Sequence, residues 1–469
     1  MKREREFAKN TVILSIGSFL PKIATFITLP ILTAYLTKSE YGTYDLIITL
    51  VSLMLPAVTL QIQSAAFRFL IDCRKDEKKV EEIVSTILFF TLGVSIVALI
   101  ILYFALYKLS PFTRILISVY FFADIILLAV QQVARGLGRN VWYSIATTIN
   151  SFLSMVLIVI VVKQLTLGIN GILLAHAAGI IVSIIFLAFK LKLHTYFKIK
   201  MFSKPLLVEM LKYSWPMVPN NLSRWVLNLS DRLVVTAVLG ISTNAVYAVA
   251  NKIPNLLNTF QSAFIFAWQE NASIALKDKD SSEYYTKMFD RIFCILSGVT
   301  ALLIASTPIV FKILIHGDYD EAYDQMPFLY LGVLFSAVSA FSGGIYVAYK
   351  KTKNVGLTTI AAAGANLLIN ISLIHFIGLY AASISTMLSY FILMIYRMVN
   401  SLKFQKMSYN IKKIVVLIVL ISIMGVLSVQ RNWIIDIINL VLGCGIMYFF
   451  NADMVNAMFK KAIMKIKRH

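Results

Sequence analysis

Apolar blocks of about 18–28 residues recur from one end of the chain to the other, each closed by a short polar loop. A helix needs roughly 20 apolar residues to cross the hydrocarbon core of a bilayer. Soluble chains carry about a quarter charged residues; here they make up 14%, against 59% hydrophobic. Loops and open sheet edges cannot face lipid, and a barrel would show period-two alternation. The chain is therefore expected to be an all-α polytopic membrane protein with about 14 transmembrane helices.

The blocks lie near 10–36, 43–70, 83–107, 112–134, 141–162, 168–190, 211–239, 244–271, 288–315, 326–349, 355–375, 378–400, 414–429 and 433–450. The loops between them alternate in charge. One set is basic, from the N-terminal Lys2, Arg3, Arg5 and Lys9 through CRKDEKK (73–79), RGLGR (135–139), KLKLHTYFKIK (190–200) and KKTK (350–353) to the C-terminal tail. The other set holds about six basic residues against about 30, and includes the acidic HGDYDEAYD (316–324). The positive-inside rule then predicts both termini in the cytoplasm. The formal charge of +21 is read as topology and not as a nucleic-acid surface. The start MKREREFAKN precedes an apolar stretch too long for a cleaved signal, so the first helix is expected to remain as the insertion signal. Cys73, Cys294 and Cys444 form no disulfide or metal motif.

The chain also repeats itself. LTAYLTKSEYGTYDL (32–46) matches VTAVLGISTNAVYAV (235–249), which sets Tyr44 on Tyr247. ARGLGRN (134–140) matches AYKKTKN (348–354), and LGINGILLAHAAG (167–179) matches IGLYAASISTMLS (377–389). Spans 1–6 and 7–12 then form two parallel six-helix repeats, with the substrate site expected between the halves. The predicted division is an N-terminal lobe over 1–190, a cytoplasmic linker over 191–210, a C-terminal lobe over 211–402, and two additional helices with a basic tail over 403–469.

Several charges fall inside spans. A charge at mid-bilayer costs at least about 2.5–3.5 kcal/mol on insertion scales and usually faces a bundle interior or wet cavity. Arg68, Glu270, Asp290, Arg291 and Arg397 lie within about two turns of a helix end, where snorkelling is the simplest reading. Lys22 and Arg224 sit deeper, roughly 18 Å along their helices at 1.5 Å per residue, and Lys252 enters span 8 by two turns. Asp124 lies near the middle of span 4, with Asp231 and Arg232 in the far half of span 7. Asn221, Arg224, Asn228 and Asp231 recur at helical spacing and share one face. An ion pair of Asp231 with a neighbouring cation that only locks the bundle is the competing reading for that face. Gln61, Gln63, Asn150, Asn255, Asn258, Asn366 and Asn370 add polarity that also serves interhelical hydrogen bonding, and His176 reads as a packing histidine sooner than a proton carrier. There is no phosphate-binding loop, HExxH or GxSxG in a workable context, so the chain is expected not to be an enzyme.

FAKNTVILSIGSFLPKIATFITLPILTAYLTKSEYGTYDL (7–46), NLSDRLVVTAVLG (228–240) and VYAVANKI (246–253) resemble segments of the bacterial polysaccharide flippases of the Wzx type. These belong to the multidrug/oligosaccharidyl-lipid/polysaccharide exporter superfamily. The resemblance extends through span 12. It implies two parallel six-helix lobes around a central cavity, in an inner-membrane transporter with alternating access that moves undecaprenyl-diphosphate-linked oligosaccharide to the outer leaflet for O-antigen, capsule or exopolysaccharide synthesis. Glycan polymerase and chain-length machinery are implied partners. Lys22, Arg224 and Lys252 become the expected contacts for diphosphate or acidic sugar. The resemblance would put arginines in both the first and seventh helices; Lys22 stands in the first here. Asp124, Asp231, Arg232 and Glu270 are the expected ion-coupling or ion-pair positions, with H+ or Na+ as coupling ion and no other cofactor or metal. A lipid II flippase of the same superfamily is the nearest alternative. A multidrug or cation antiporter would need an acidic, aromatic site, which the cationic excess opposes. A membrane glycan ligase or polymerase would need a larger outer loop than the roughly ten residues available.

Overall fold

The computed structural model describes residues 2–276, 278, 280–452 and 456. All regular structure among them is helical. The helices are α1 (Lys2–Tyr35), α2 (Lys38–Thr59), α3 (Ile62–Cys73), α4 (Glu77–Ala105), α5 (Pro111–Gly136), α6 (Asn140–Val159), which runs into a π-turn at Ile160–Gln164, and α7 (Gly168–Lys190). After them come α8 (Leu193–Tyr196), a 3₁₀ turn at Ile199–Met201, α9 (Lys204–Ser214), α10 (Met217–Leu239), α11 (Ile241–Ala250), α12 (Pro254–Ala275) and α13 (Ser281–Leu314). The chain closes with α14 (Asp320–Ala348), α15 (Thr352–Ile377), α16 (Tyr380–Ser401), α17 (Ile411–Ser428) and α18 (Trp433–Phe450).

Among the described residues, eleven helices are long and apolar enough to cross a membrane, so this is a multi-pass integral membrane protein. The three expected spans outside that set are those that carry the deep cations: α1 with Lys22, α10 with Arg224, and α11–α12 with Lys252. The chain divides into two compact units, residues 1–225 and 226–469, the division falling inside α10.

In unit 1 the core gathers Ile83, Val84 and Ile87 of α4 with Phe121, Ile125 and Val130 of α5 and Leu173 and Ile180 of α7. Span 2, expected as one helix over 43–70, is instead broken. Leu60 and Gln61 both adopt left-handed backbone, at φ 49° and 56°, where a side chain clashes with the backbone. Local hydrogen bonds hold the break: the Gln61 amide donates to the Thr59 hydroxyl at 3.2 Å and the Ser64 amide to the Gln61 carbonyl at 2.9 Å. Residues 191–210 are not free chain. Ser85 Oγ donates to the Tyr196 carbonyl at 2.9 Å and accepts from the Lys198 amide at 3.0 Å, while the Ser203 amide donates to Thr86 Oγ1 at 3.1 Å. Span 7, expected from 211, begins at Met217, because Pro216 follows the end of α9.

In unit 2, span 8 is also broken, at residues 251–253, where Pro254 opens α12 without an amide to continue the ladder. The two added helices appear as α17 and α18. The Lys413 ammonium holds both carboxylate oxygens of Asp290 on α13, at 2.9 and 2.8 Å. At the other end Arg431 donates to the Asp320 carbonyl at 2.6 Å and to Asp324 Oδ1 at 2.8 Å. Asp290 is thus a partner of α17 and not a lone interfacial anchor. The matched repeat segments share one backbone signature: Gly168 and Gly378 both take positive φ, 54° and 57°, which glycine alone adopts without steric cost.

Candidate functional site

Unit 1 presents two of the predicted cations. Lys22 is exposed on α1. Arg224 is exposed on α10, and the reason lies in its neighbour. Trp225 is only 8% exposed, and its indole N–H lies 3.2 Å from the Thr49 carbonyl and 2.9 Å from Ser52 Oγ on α2. Burying Trp225 against α2 turns the Arg224 side of α10 outward. Asn221 donates to its own helix, at the Met217 carbonyl, 3.1 Å away. Asp124 is half-buried on α5, one turn beyond Tyr120.

Unit 2 holds the rest of the polar stripe. Asn228 Oδ1 accepts from the Tyr390 hydroxyl at 2.5 Å. Asp231 is 1% exposed and sits in a cage of neutral groups. Its Oδ2 accepts from Thr386 Oγ1 at 2.6 Å and from the Tyr247 hydroxyl at 3.0 Å, and its Oδ1 from Asn370 Nδ2 at 2.8 Å. Asn366 Nδ2 donates to Thr386 Oγ1 at 3.3 Å. The amide oxygens of Asn366 and Asn370 are buried and without a hydrogen-bond partner. Four helices, α10, α11, α15 and α16, thus bring carboxylate, phenol, hydroxyl and amide oxygens together. Such a hard-oxygen set suits a small hard cation and not a transition metal; among the described residues no group of three His, Cys, Asp or Glu could hold a metal. Arg232, one position on, is half-buried and has partners of its own; Asp231 is bonded through neutral groups.

Lys252 is half-buried in the break between α11 and α12, where Asn251 Nδ2 donates back to the Tyr247 carbonyl at 2.8 Å. The expected depth within a continuous span becomes a position at a helix interruption. Glu270 falls on α12, but its side chain lies outside the described residues. The structure sets Asn366, Asn370, Thr386 and Tyr247 around Asp231, and of these Thr386 carried no signal except its place in the repeat.

Arg397 corrects the snorkelling reading. It is 5% exposed. Its guanidinium donates to Thr358 Oγ1 at 3.0 and 2.9 Å, to Thr359 Oγ1 at 3.0 Å, and to the Val355 and Ser339 carbonyls at 3.1 and 3.4 Å. It ties α16 to α14 and α15.

Solved structures share this architecture. An inward-facing multidrug resistance MATE family transporter of the MOP superfamily superposes with a TM-score of 0.70 at 16% identity, covering 84% of this chain and 98% of its own. An outward-facing structure of a MATE family transporter gives 0.61 at 14% identity, covering 88% and 96%. A MOP superfamily transporter from Pyrococcus furiosus, described by the reverse polarity of its binding pocket and a different function suggested from it, gives 0.59 at 15%, covering 84% and 95%. No curated protein sequence matches the chain significantly. The fold is that of the MATE family transporters. The chain belongs to the polysaccharide biosynthesis protein family, whose sequence profile matches residues 7–269.

Proposed function

We propose that this protein is a flippase that carries polyprenyl-diphosphate-linked oligosaccharide from the cytoplasmic to the outer leaflet of the bacterial inner membrane, by alternating access, with both termini in the cytoplasm. The observation that carries the reading is the exposure of Lys22 and Arg224 on helices of a transporter fold in a polysaccharide biosynthesis family. A diphosphate crossing a bilayer needs cationic partners, and the guanidinium fork of Arg224 suits phosphate oxygens. Lys22 and Lys252 add point charges. The excess of cations over acids at these positions favours an anionic headgroup over a cationic drug. A reversal of pocket polarity within this fold is already described for the Pyrococcus protein.

Asp231 supplies a separate function in this reading. Its oxygen cage is the position for the coupling ion, Na+ or H+. Reconstituted protein with a labelled lipid-diphosphate oligosaccharide, with and without an imposed ion gradient, tests the proposal. Gradient-dependent transfer between leaflets is expected; transfer no faster than in protein-free vesicles under every gradient refutes it.

A further inference from the structure

His176 plays no part in the function proposed above, and its imidazole is held by a tyrosine hydroxyl. The Tyr44 hydroxyl of α2 lies 2.9 Å from its Nε2. The two rings are nearly parallel, at 7°, with centroids 5.7 Å apart. The Tyr120 ring of α5 stands 6.2 Å from the imidazole, and Asp124 follows Tyr120 one turn later on the same helix. Tyr41 meets Tyr44 edge-on at 6.2 Å.

The ionisable groups around α7 are few. From α2 come Lys38, Glu40, Tyr41, Tyr44 and Asp45; Glu40 lies against Gly168 at the start of α7, and Asp45 is 3% exposed with partners of its own. From α5 come Tyr120 and Asp124, with Arg114 and Arg135 near its two ends. Tyr143 is the ionisable residue of α6, and its ring lies under Arg135, 5.5 Å away. The π-turn brings Lys163, and α8 brings His194 and Tyr196 at the opposite end of α7. Asp124 is the one carboxylate of α5, a turn along from the Tyr120 ring that stands beside His176.

The internal repeat shows what this position is. The matched segments 167–179 and 377–389 set His176 on Thr386, just as 32–46 and 235–249 set Tyr44 on Tyr247. In unit 2 that tyrosine and threonine both hold Asp231. In unit 1 the equivalent tyrosine holds an imidazole. We propose that His176, with Tyr44 and Asp124, is a proton-binding site of unit 1, the repeat's counterpart of the Asp231 cage. The site does not depend on which substrate is transported.

The chemistry is a simple protonation. In the neutral ring Nε2 accepts from the Tyr44 hydroxyl. A proton delivered from water bonds to Nε2, which then donates to the Tyr44 oxygen, and the phenolic hydrogen turns to another acceptor. The imidazolium gains the Asp124 carboxylate as its counter-charge. Imidazole is the side chain that changes charge near neutral pH.

The test is 15N NMR of histidine-labelled full-length protein in nanodiscs, from pH 8 to pH 5. Of the five histidines, the signal lost in His176→Gln is expected to pass from the neutral to the charged pattern within that range. In Asp124→Asn its proton affinity is expected to fall about threefold or more, because a nearby carboxylate stabilises the charged ring. Should His176→Gln fail to fold, a variant with the other four histidines changed to glutamine leaves the same signal by itself. A His176 ring that stays neutral down to pH 5, or titrates identically in Asp124→Asn, overturns the proposal.

Discussion

Tyr44 in unit 1 and Tyr247 in unit 2 occupy matched positions of the repeat, yet one shares its hydroxyl with an imidazole and the other with a carboxylate. The scaffold around them is common: a tyrosine on the second helix of each repeat faces a residue on the sixth, His176 or Thr386. The difference lies in the third partner. In unit 2 the first helix of the repeat sends in Asp231, and α15 adds Asn370. Aligned with the same offset, α1 offers Thr28, a neutral side chain. One geometry thus holds two kinds of ionisable group: a carboxylate in a cage of oxygens, and an imidazole.

The arginines of the two units differ in the same spirit. Arg224 is exposed, while Arg397 is buried among hydroxyls and carbonyls. The largest effect expected from any single change is on the exposed one. Arg224→Ala abolishes surface-glycan export while the protein remains in the membrane at wild-type level, measured by glycan immunoblot and membrane abundance. Arg224→Lys keeps part of the activity if net charge alone matters. Export at the wild-type rate in Arg224→Ala would remove Arg224 from the transport path. Next comes the caged carboxylate. Asp231→Asn keeps the shape and loses the charge, and gradient-driven transfer in proteoliposomes should fall at least roughly tenfold, about 1.4 kcal/mol. If transfer in Asp231→Asn keeps its full dependence on the gradient, the cage is not the coupling position.

Arg397→Met should leave the transport chemistry alone and cost about 2–3 kcal/mol of stability, since hydrogen bonds to a charged group are lost inside a packed bundle. Thermal unfolding in detergent reads this, and an unchanged midpoint would show that the buried guanidinium is dispensable. The smallest effect belongs to the partly exposed pair that pins α17. Lys413→Ala should cost less than about 1 kcal/mol, and a larger loss would mark α17 as more deeply dependent on α13 than the ion pair suggests.

The sequence made some of this legible for physical reasons. Helical periodicity placed Asn228 and Asp231 on one face, and they do share a polar environment. Apolar block length found α4 to α7 and α13 to α18. Periodicity says which residues share a face of one helix; it says nothing of what stands opposite. Hence the neutral cage of Asp231, contributed by α11, α15 and α16, was hidden, and so was the burial of Arg397, whose partners lie about 40 to 60 positions away. The two interrupted spans were hidden as well. Pro254 was a usable signal for one. The other turns on Leu60 and Gln61, residue types with no preference for left-handed backbone.

That doublet has a mechanical consequence. A continuous helix is a rod: a push or twist at one tip arrives at the other. With two successive residues off the helical path, α2 and α3 are joined by a swivel. Torque applied to α3 need not reach Tyr44 on α2.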